Sequence, residues 1–118
     1  MLAKKFKLPI QEGLKKNQKA FSFLKGKYFN FKISKNDLNY SRFGVIVSSK
    51  IFKKAFARNK LRRIIFEKIR SKNYYLNPGN DILIITLPEA SKNFLIGAVG
   101  IEKIIKDLES SFNFIHNQ

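Results

Sequence analysis

Apolar and polar residues alternate with a period of two in the first half of the chain. Residues 29–34 (FNFKIS) place two Phe and one Ile on one face of an extended chain, which predicts a half-buried strand. Residues 42–48 (RFGVIVS) are apolar and β-branched, and we expect them to pair with the first strand as a hairpin. Residues 81–87 (DILIITL) form a continuous apolar run, ended by Pro88, that is typical of a buried central strand.

Helical spacing dominates two later segments. One runs from Lys54 to Lys72, and its apolar residues fall on one side of a helical wheel: Ala57, Leu61, Ile64, Ile65 and Ile69. The other lies near the end of the chain, where apolar residues repeat at i, i+3, i+4, i+7 and i+11: Ile101, Ile104, Ile105, Leu108 and Phe112. We expect a polar loop between Pro88 and this last helix.

Residues 1–19 are polar and basic with weak periodicity. They predict either a poorly ordered segment or a short helix over residues 9–18, because Pro suits a first helical turn. The predicted order of elements is helix, strand, strand, helix, strand, helix. A chain of 118 residues has the length of one domain, 1–118. We therefore predict an α+β fold in which helices pack on one small sheet of three or four strands.

The strong positive charge of the chain favours proteins that bind a polyanion. Lys and Arg total 24 against 8 Asp and Glu, which gives a formal net charge of +16. Repulsion of this size destabilises a compact state, so a small domain that carries it usually binds a polyanion, with nucleic acid the leading candidate. A membrane surface is disfavoured, because the sheet needs the apolar faces of the helices. No apolar run approaches the roughly 20 residues of a membrane span, and we expect a cytoplasmic protein.

The residue types that carry protein catalysis are scarce. The chain contains no Cys, and its one His, His116, lies two residues from the end. The eight acidic residues are scattered along the sequence, whereas metal-dependent nucleases hold their ions with clustered carboxylates. We therefore expect neither a catalytic residue nor a metal site on this chain.

Cations are concentrated between residues 42 and 72. This segment holds eleven Lys and Arg and a single acid, Glu67, so it is not a charge-balanced solvent-exposed face. Arg58, Arg62 and Arg63 lie about one turn apart on the predicted helix, so their side chains can reach neighbouring phosphates. The planar guanidinium group of Arg can donate two hydrogen bonds to one phosphate. The predicted RNA-binding residues are Arg58, Asn59, Lys60, Arg62, Arg63, Lys50, Lys53, Lys54, Arg42 and Arg70.

Residues 42–70 (RFGVIVSSKIFKKAFARNKLRRIIFEKIR) resemble the signature region of the protein subunit of bacterial ribonuclease P. In that family a strand with a Gly-x-x-Val-Ser-Lys-Lys-like end leads through a basic connector to a helix that opens with Ala-x-x-Arg-Asn-Arg-x-Lys-Arg. The matching positions are Gly44, Val47, Ser48, Lys50, Lys53, Lys54, Ala55, Arg58, Asn59, Arg63 and Glu67. The chain departs from the pattern at Lys60, where Arg is usual, at Ser49, where Lys is usual, and at Phe66, where Arg is frequent.

The resemblance implies a function and partners. Each member of the family is the protein subunit of a ribonucleoprotein endonuclease that removes the 5′ leader from precursor tRNA. In this enzyme the RNA subunit catalyses the hydrolysis and binds the Mg²⁺ ions. It also implies a monomer in a one-to-one complex with ribonuclease P RNA, and a ribosomal protein S5 domain 2-like fold with a left-handed crossover. Composition leaves one alternative open, a ribosomal-type structural RNA-binding protein without a role in cleavage.

The resemblance further implies a cleft, between the sheet and the helix that carries Arg58, in which aromatic residues hold the single-stranded leader. The sequence offers either Phe21 and Phe23 or Phe29 and Phe31 for this cleft, although alternating aromatic residues in a strand usually pack inward. Phe66 lies on the basic side of the helical wheel, where it could stack on a base or pack on a neighbouring element.

Overall fold

The structure is a computed structural model that describes residues 2–14, 21–77 and 79–116. Its helices and strands are, in chain order, α1 (Ile10–Gly13), β1 (Phe21–Lys25), β2 (Phe29–Lys35), β3 (Arg42–Ile46), α2 (Ala55–Ser71), β4 (Asn80–Thr86), α3 (Pro88–Ile96) and α4 (Ala98–His116). The predicted α+β class, with helices packed on one small sheet, is confirmed. The prediction that residues 1–118 form one domain stays a prediction.

The four strands form one mixed sheet in the order β1-β2-β4-β3. β1 and β2 are antiparallel, β2 is antiparallel to β4, and β3 is parallel to β4. The predicted hairpin between residues 29–34 and 42–48 is therefore wrong. β4 lies between these strands because its apolar run is buried on both faces of the sheet, with Ile82, Leu83 and Ile84 all less than 5% exposed. Such a strand is most stable with a neighbour at each edge.

β3, α2 and β4 form a parallel strand–helix–strand unit. The apolar stripe predicted for α2 is confirmed at Leu61, Ile65 and Ile69, which are buried, whereas Ala57 and Ile64 are only partly buried. The three buried residues join the apolar side of α4 and one face of the sheet in a single core. The left-handed crossover remains a prediction from the family resemblance.

The register divides the strand side chains between two faces. Phe23 pairs with Lys32, and Leu24 pairs with Phe31. Because side chains opposite one another in a sheet share a face, Phe23 lies on the other face from Phe31. The face with Phe31 is covered by the core, whereas the face with Phe23 is covered only in part.

Phe112 of α4 is the aromatic centre of the core. Its ring lies 5.9 Å from the ring of Phe31 on β2 and 5.7 Å from the ring of Phe43 on β3. The ring of Tyr74, in the turn that follows α2, is 4.8 Å away. One side chain therefore connects the last helix to two strands and to the end of the crossover.

The N-terminal segment packs along β3. Leu2 and Leu8 are buried, and the backbone N–H of Leu8 donates to the carbonyl of Phe43 at 2.8 Å. At Gly44 a Cβ atom would lie 2.9 Å from the carbonyl oxygen of Leu8, so glycine permits this close crossing. The helix predicted over residues 9–18 is present as the single turn α1 (Ile10–Gly13), and residues 15–18 lie outside the described residues.

The polar loop predicted after β4 is a helix instead. Pro88 is the first residue of α3. Proline suits this position because the backbone N–H of a first helical residue makes no hydrogen bond within the helix. Gly97, with a φ of 105°, ends α3 and lets the chain turn into α4. No helix within the described ranges is long and apolar enough to cross a membrane.

One carboxyl group of α4 is poorly solvated. The Oδ2 atom of Asp107 is buried and has no hydrogen-bond partner among the residues that the structure describes. Burial raises the pKa of the Asp107 carboxyl above its ordinary value, and the positive charge of Lys27 offsets part of that rise. The ionised form therefore destabilises the folded state, because burial disfavours charge.

We expect Asp107→Asn to raise the melting temperature at neutral pH. A carboxyl whose pKa is raised by folding lowers the free energy of unfolding at a pH above its folded-state pKa. This loss disappears as the pH falls below the pKa of the carboxyl in the unfolded chain. The advantage of the variant should therefore shrink on acidification, which thermal denaturation between pH 7 and pH 3 would measure. Asp37→Asn, at an exposed position in the turn after β2, is the control. A lower melting temperature for Asp107→Asn at neutral pH would contradict the prediction.

Candidate nucleic-acid interface

Residues 47–54 connect β3 to α2, and a single arginine holds this connector against the first turn of the helix. Lys54 precedes α2 without a side-chain cap. The Nη1 atom of Arg58 donates to the carbonyl of Phe52 at 2.7 Å and to the carbonyl of Lys53 at 3.1 Å. Arg58 was predicted as an RNA-binding residue at the border of the apolar stripe. In the structure its guanidinium group fixes the connector, so its loss would also disturb the fold.

The outer face of α2 carries the other predicted residues of the helix. Asn59, Lys60 and Arg63 are exposed. The Nη1 atom of Arg62 donates to Oδ1 of Asn59 at 2.9 Å, so the amide orients that guanidinium group. Among the described residues, neither Lys60 nor Arg63 has an ion-pair partner.

The connector extends this positive charge beyond the helix. Lys50, Lys53 and Lys54 are exposed, and within the described part of the chain none of the three forms an ion pair. The backbone N–H of Lys50 donates to Oγ of Ser48 at 3.0 Å, a contact that shapes the bend at the end of β3. We call the following residues the basic surface: Lys50, Lys53, Lys54, Asn59, Lys60, Arg62 and Arg63.

Two predicted RNA-binding cations have carboxylate partners. Arg70 pairs with Glu67 one turn earlier on α2, and both side chains are about half exposed. The hydrogen bond from Arg70 lowers the pKa of the Glu67 carboxyl. Arg70 therefore contributes a neutralised pair to α2, rather than a free positive charge.

Arg42 lies apart from the basic surface, at the start of β3, whereas the connector follows the end of that strand. Its guanidinium group donates to both carboxylate oxygens of Asp81, at 2.9 and 2.7 Å, and to Glu12 at 3.3 Å. The hydrogen bond to Asp81 raises the pKa of Arg42. Asn36 donates to the same carboxylate at 2.7 Å. This network joins α1, β3, β4 and the turn after β2, which indicates a structural role for Arg42.

The structure separates the two pairs of aromatic residues that were offered for the leader cleft. Phe29 and Phe31 are 0% exposed, and a ring without exposed surface cannot stack on a base while the core stays closed. Phe21 and Phe23 are 50% and 48% exposed on the opposite face of the sheet. The Nζ atom of Lys32 lies 4.6 Å from the centre of the Phe21 ring, so this open face is also cationic.

The cleft expected between the sheet and α2 stays a prediction. The apolar stripe of α2 and the sheet face that carries Phe31 pack together in one core. Phe66 is partly buried against this core, and the Nζ atom of Lys7 lies 5.1 Å from its ring centre. Within the described residues, no three His, Cys, Asp or Glu side chains lie close enough together to hold a metal ion.

Comparison with known proteins identifies the family. Residues 8–109 match the family model described as Ribonuclease P. This chain belongs to the ribonuclease P protein family. The ribonuclease P protein component of Fusobacterium nucleatum is 39% identical over 87 residues, which cover 74% of this chain and 76% of that protein. The protein component of Synechocystis is 39% identical over 75 residues, which cover 64% of this chain and 56% of that protein.

Solved structures of ribonuclease P proteins share the fold. The protein from Thermotoga maritima matches with a TM-score of 0.69 at 30% identity, over 78% of this chain and 81% of that chain. A mutant of the Staphylococcus aureus protein matches with a TM-score of 0.71, over 95% of this chain and 89% of that chain. Its identity of 22% supports the likeness of fold alone.

The ribonuclease P signature coincides with the basic surface. All of the surface except Lys60 and Arg62 lies at positions that match the family pattern, and the structure gathers these residues on the connector and α2. Three polar residues on the sheet face of Phe21 and Phe23 were not among the predicted site residues: Lys25, Asn30 and Lys32. The sequence did not predict β1 as a separate strand. The common face of these three residues is therefore known only from the pairing of β1 with β2.

Proposed function

We propose that this chain is the protein component of ribonuclease P, and that it assists the Mg²⁺-dependent endonucleolytic removal of the 5′ leader from precursor tRNA. One observation carries the proposal: in a member of this family, the connector and the outer face of α2 present lysines and arginines that have no ion-pair partner among the described residues. In this role the basic surface binds the phosphates of ribonuclease P RNA. Arg63 offers a bidentate fork to phosphate, whereas Lys50, Lys53 and Lys54 act as point charges.

The open face of the sheet is the best candidate for the leader. Phe21 and Phe23 offer flat, half-exposed rings on which single-stranded bases can stack. Lys25 and Lys32 lie on the same face, where they can contact the backbone of the strand. This assignment retains one of the two aromatic pairs predicted from the sequence and excludes Phe29 and Phe31.

The proposed contribution to catalysis is electrostatic and positional. Mg²⁺ would be held mainly by the RNA, because phosphate and base oxygens supply its preferred ligands. Cations of the protein near the RNA would screen phosphate repulsion, so the RNA would need less Mg²⁺ to reach its active structure. Each phosphate neutralised by the protein releases counterions, so affinity should fall with salt at a slope of about −0.7 to −0.9 per contact.

The test combines the purified protein with a bacterial ribonuclease P RNA and a 5′-labelled precursor tRNA, at a Mg²⁺ concentration where the RNA alone is nearly inactive. We expect leader release only when the protein is present. If the protein binds the RNA and leaves its Mg²⁺ requirement unchanged, the ribosomal-type alternative is the better description.

Arg63→Ala should weaken RNA binding and reduce the salt slope by about 0.7–0.9, because one phosphate contact is lost. Its melting temperature should stay unchanged, since the side chain is exposed. Lys106→Ala is the matched control. It removes the same unit of charge from α4, where Lys106 pairs with Glu102, and should leave the slope unchanged. Arg58→Ala is a poor probe, because losing its two bonds to the connector should also destabilise the fold by about 1–3 kcal/mol.

A further inference from the structure

An exposed aromatic ring lies within the basic surface. Phe56, in the first turn of α2, is 66% exposed. Phe56, Lys60 and Arg63 are spaced i, i+4 and i+7, so they share the outer face of the helix. The Nζ atom of Lys54 lies 5.9 Å from the centre of the Phe56 ring. The polar side of this amphipathic helix thus begins with a phenyl ring that lies next to Lys54 and on the same face as Lys60 and Arg63.

A groove opens beside this ring. It has a volume of about 530 Å³ and is bounded by the connector, the start of α2 and α3. The rings of Phe52 and Phe94 lie 5.2 Å apart in its wall, and Lys53 and Lys54 also line it. At a second edge, the Nζ atom of Lys60 lies 5.7 Å from the Phe94 ring. The groove therefore combines aromatic walls with a positively charged rim.

The fold gives no reason for an aromatic residue at position 56. The ring lies outside the core cluster, and Phe is a weaker helix former than Ala, Lys or Glu. An exposed ring of this size gains stability only when a partner covers it. The charges around it favour a partner that has a flat apolar surface and carries negative charge.

We propose that Phe56 and the groove beside it hold an unpaired nucleobase of the RNA that the basic surface binds. A base offers a flat π-face to the ring, and its phosphates lie within reach of the lysine rim, an arrangement common to proteins that bind single-stranded segments. The inference rests on the proposed function, and it adds an unpaired nucleotide to a surface otherwise made of phosphate contacts. Stacking tolerates any base, so the site selects unpaired structure rather than sequence.

A second copy of the chain fits this surface less well. Leu95 beside the groove is 82% exposed and would suit an apolar partner. Dimerisation, however, would bring two sets of Lys53, Lys54 and Lys60 together in a protein with a net charge of +16. Like charges across an interface are strongly unfavourable.

The test measures the affinity for a bacterial ribonuclease P RNA at fixed salt and Mg²⁺, together with the melting temperature. Phe56→Ala should weaken binding roughly 5- to 150-fold, the range expected for one stacked base. Phe56→Tyr should bind like the wild type, whereas Phe56→Leu should bind like Phe56→Ala, because it keeps apolar volume but loses the flat ring. The salt slope should be unchanged in all three variants, since no cation is removed. Phe114→Ala, at a ring of α4 that is 53% exposed, is the control.

A second measurement detects the contact directly. The chain contains no Trp, so Phe56→Trp introduces a single tryptophan, whose emission should be quenched when RNA binds. Phe114→Trp should show no quenching. Wild-type affinity for Phe56→Ala, or an unquenched Phe56→Trp in the RNA complex, would overturn the stacking site. So would self-association that depends on Phe56 while RNA binding does not. If the wild-type protein fails to restore cleavage or to bind the RNA, the proposed function fails first and this inference falls with it.

Discussion

Replacing Phe112 with Ala should cost about 3–5 kcal/mol of the free energy of unfolding. The side chain is 3% exposed and contacts the rings of Phe31, Phe43 and Tyr74. Its removal deletes buried apolar surface and leaves a cavity that α4 cannot close without leaving the sheet. Native domains are stable by about 5–15 kcal/mol, so this loss is a large share of the total. Urea denaturation followed by circular dichroism would measure it.

Phe114 provides the matched control for this variant. It lies two residues further along α4, and its ring is half exposed. Phe114→Ala removes the same atoms and should change the free energy of unfolding by less than about 0.5 kcal/mol, as is usual for surface positions. Equal losses for the two variants would contradict the central place of Phe112 in the core.

Gly100→Ala should destabilise the protein by about 3 kcal/mol or more. A Cβ atom on Gly100 would lie 1.8 Å from the carbonyl oxygen of Asn93 and 2.7 Å from the carbonyl carbon. These are backbone atoms of α3, so a side-chain rotation cannot relieve the clash and the two helices must move apart. Overpacking of this kind costs about 1–3 kcal/mol where neighbours adjust, and more where they do not.

Thermal denaturation would measure the effect of Gly100→Ala, with Val99→Ala as the control on the adjacent residue. Val99 is exposed, so its truncation should shift the melting temperature little. An unchanged melting temperature for Gly100→Ala would show that α3 and α4 are further apart than the structure places them. Because Gly100 is not part of the basic surface, the RNA affinity of the folded fraction should remain close to the wild-type value.

The sequence predicted the elements whose apolar spacing is regular. The stripe of α2 and the period of α4 are local patterns that each helix repeats over several turns, and three of the five predicted apolar residues of each helix are buried. Strand pairing was not predictable in this way, because the position of β4 between β2 and β3 depends on contacts between residues 39 to 57 positions apart. The helix α3 was missed because Pro88 was interpreted as the end of a strand, although proline is equally suited to the first position of a helix.

The candidate site was predictable in its charge and less so in its geometry. The exposed cations of the connector and α2 follow from composition and spacing. The roles of Arg42 and Arg58 do not, because a guanidinium group that binds phosphate and one that binds a carboxylate or a carbonyl have the same sequence signature. Likewise, alternation alone could not decide between Phe21 and Phe31, since the face of each ring is set by the register of β1 on β2.

The strand order affects how the chain can fold while the ribosome is still synthesising it. β4 borders both β2 and β3, yet it follows them in the chain by more than thirty residues. During synthesis β1 and β2 can meet early, but a two-stranded hairpin is at best marginally stable in water. One edge of β2 therefore stays open until β4 leaves the ribosome, and open strand edges invite pairing with other chains. The strongly positive α2 is synthesised before β4. Its charge makes nascent chains repel one another, which opposes pairing between chains while the edge of β2 is still open.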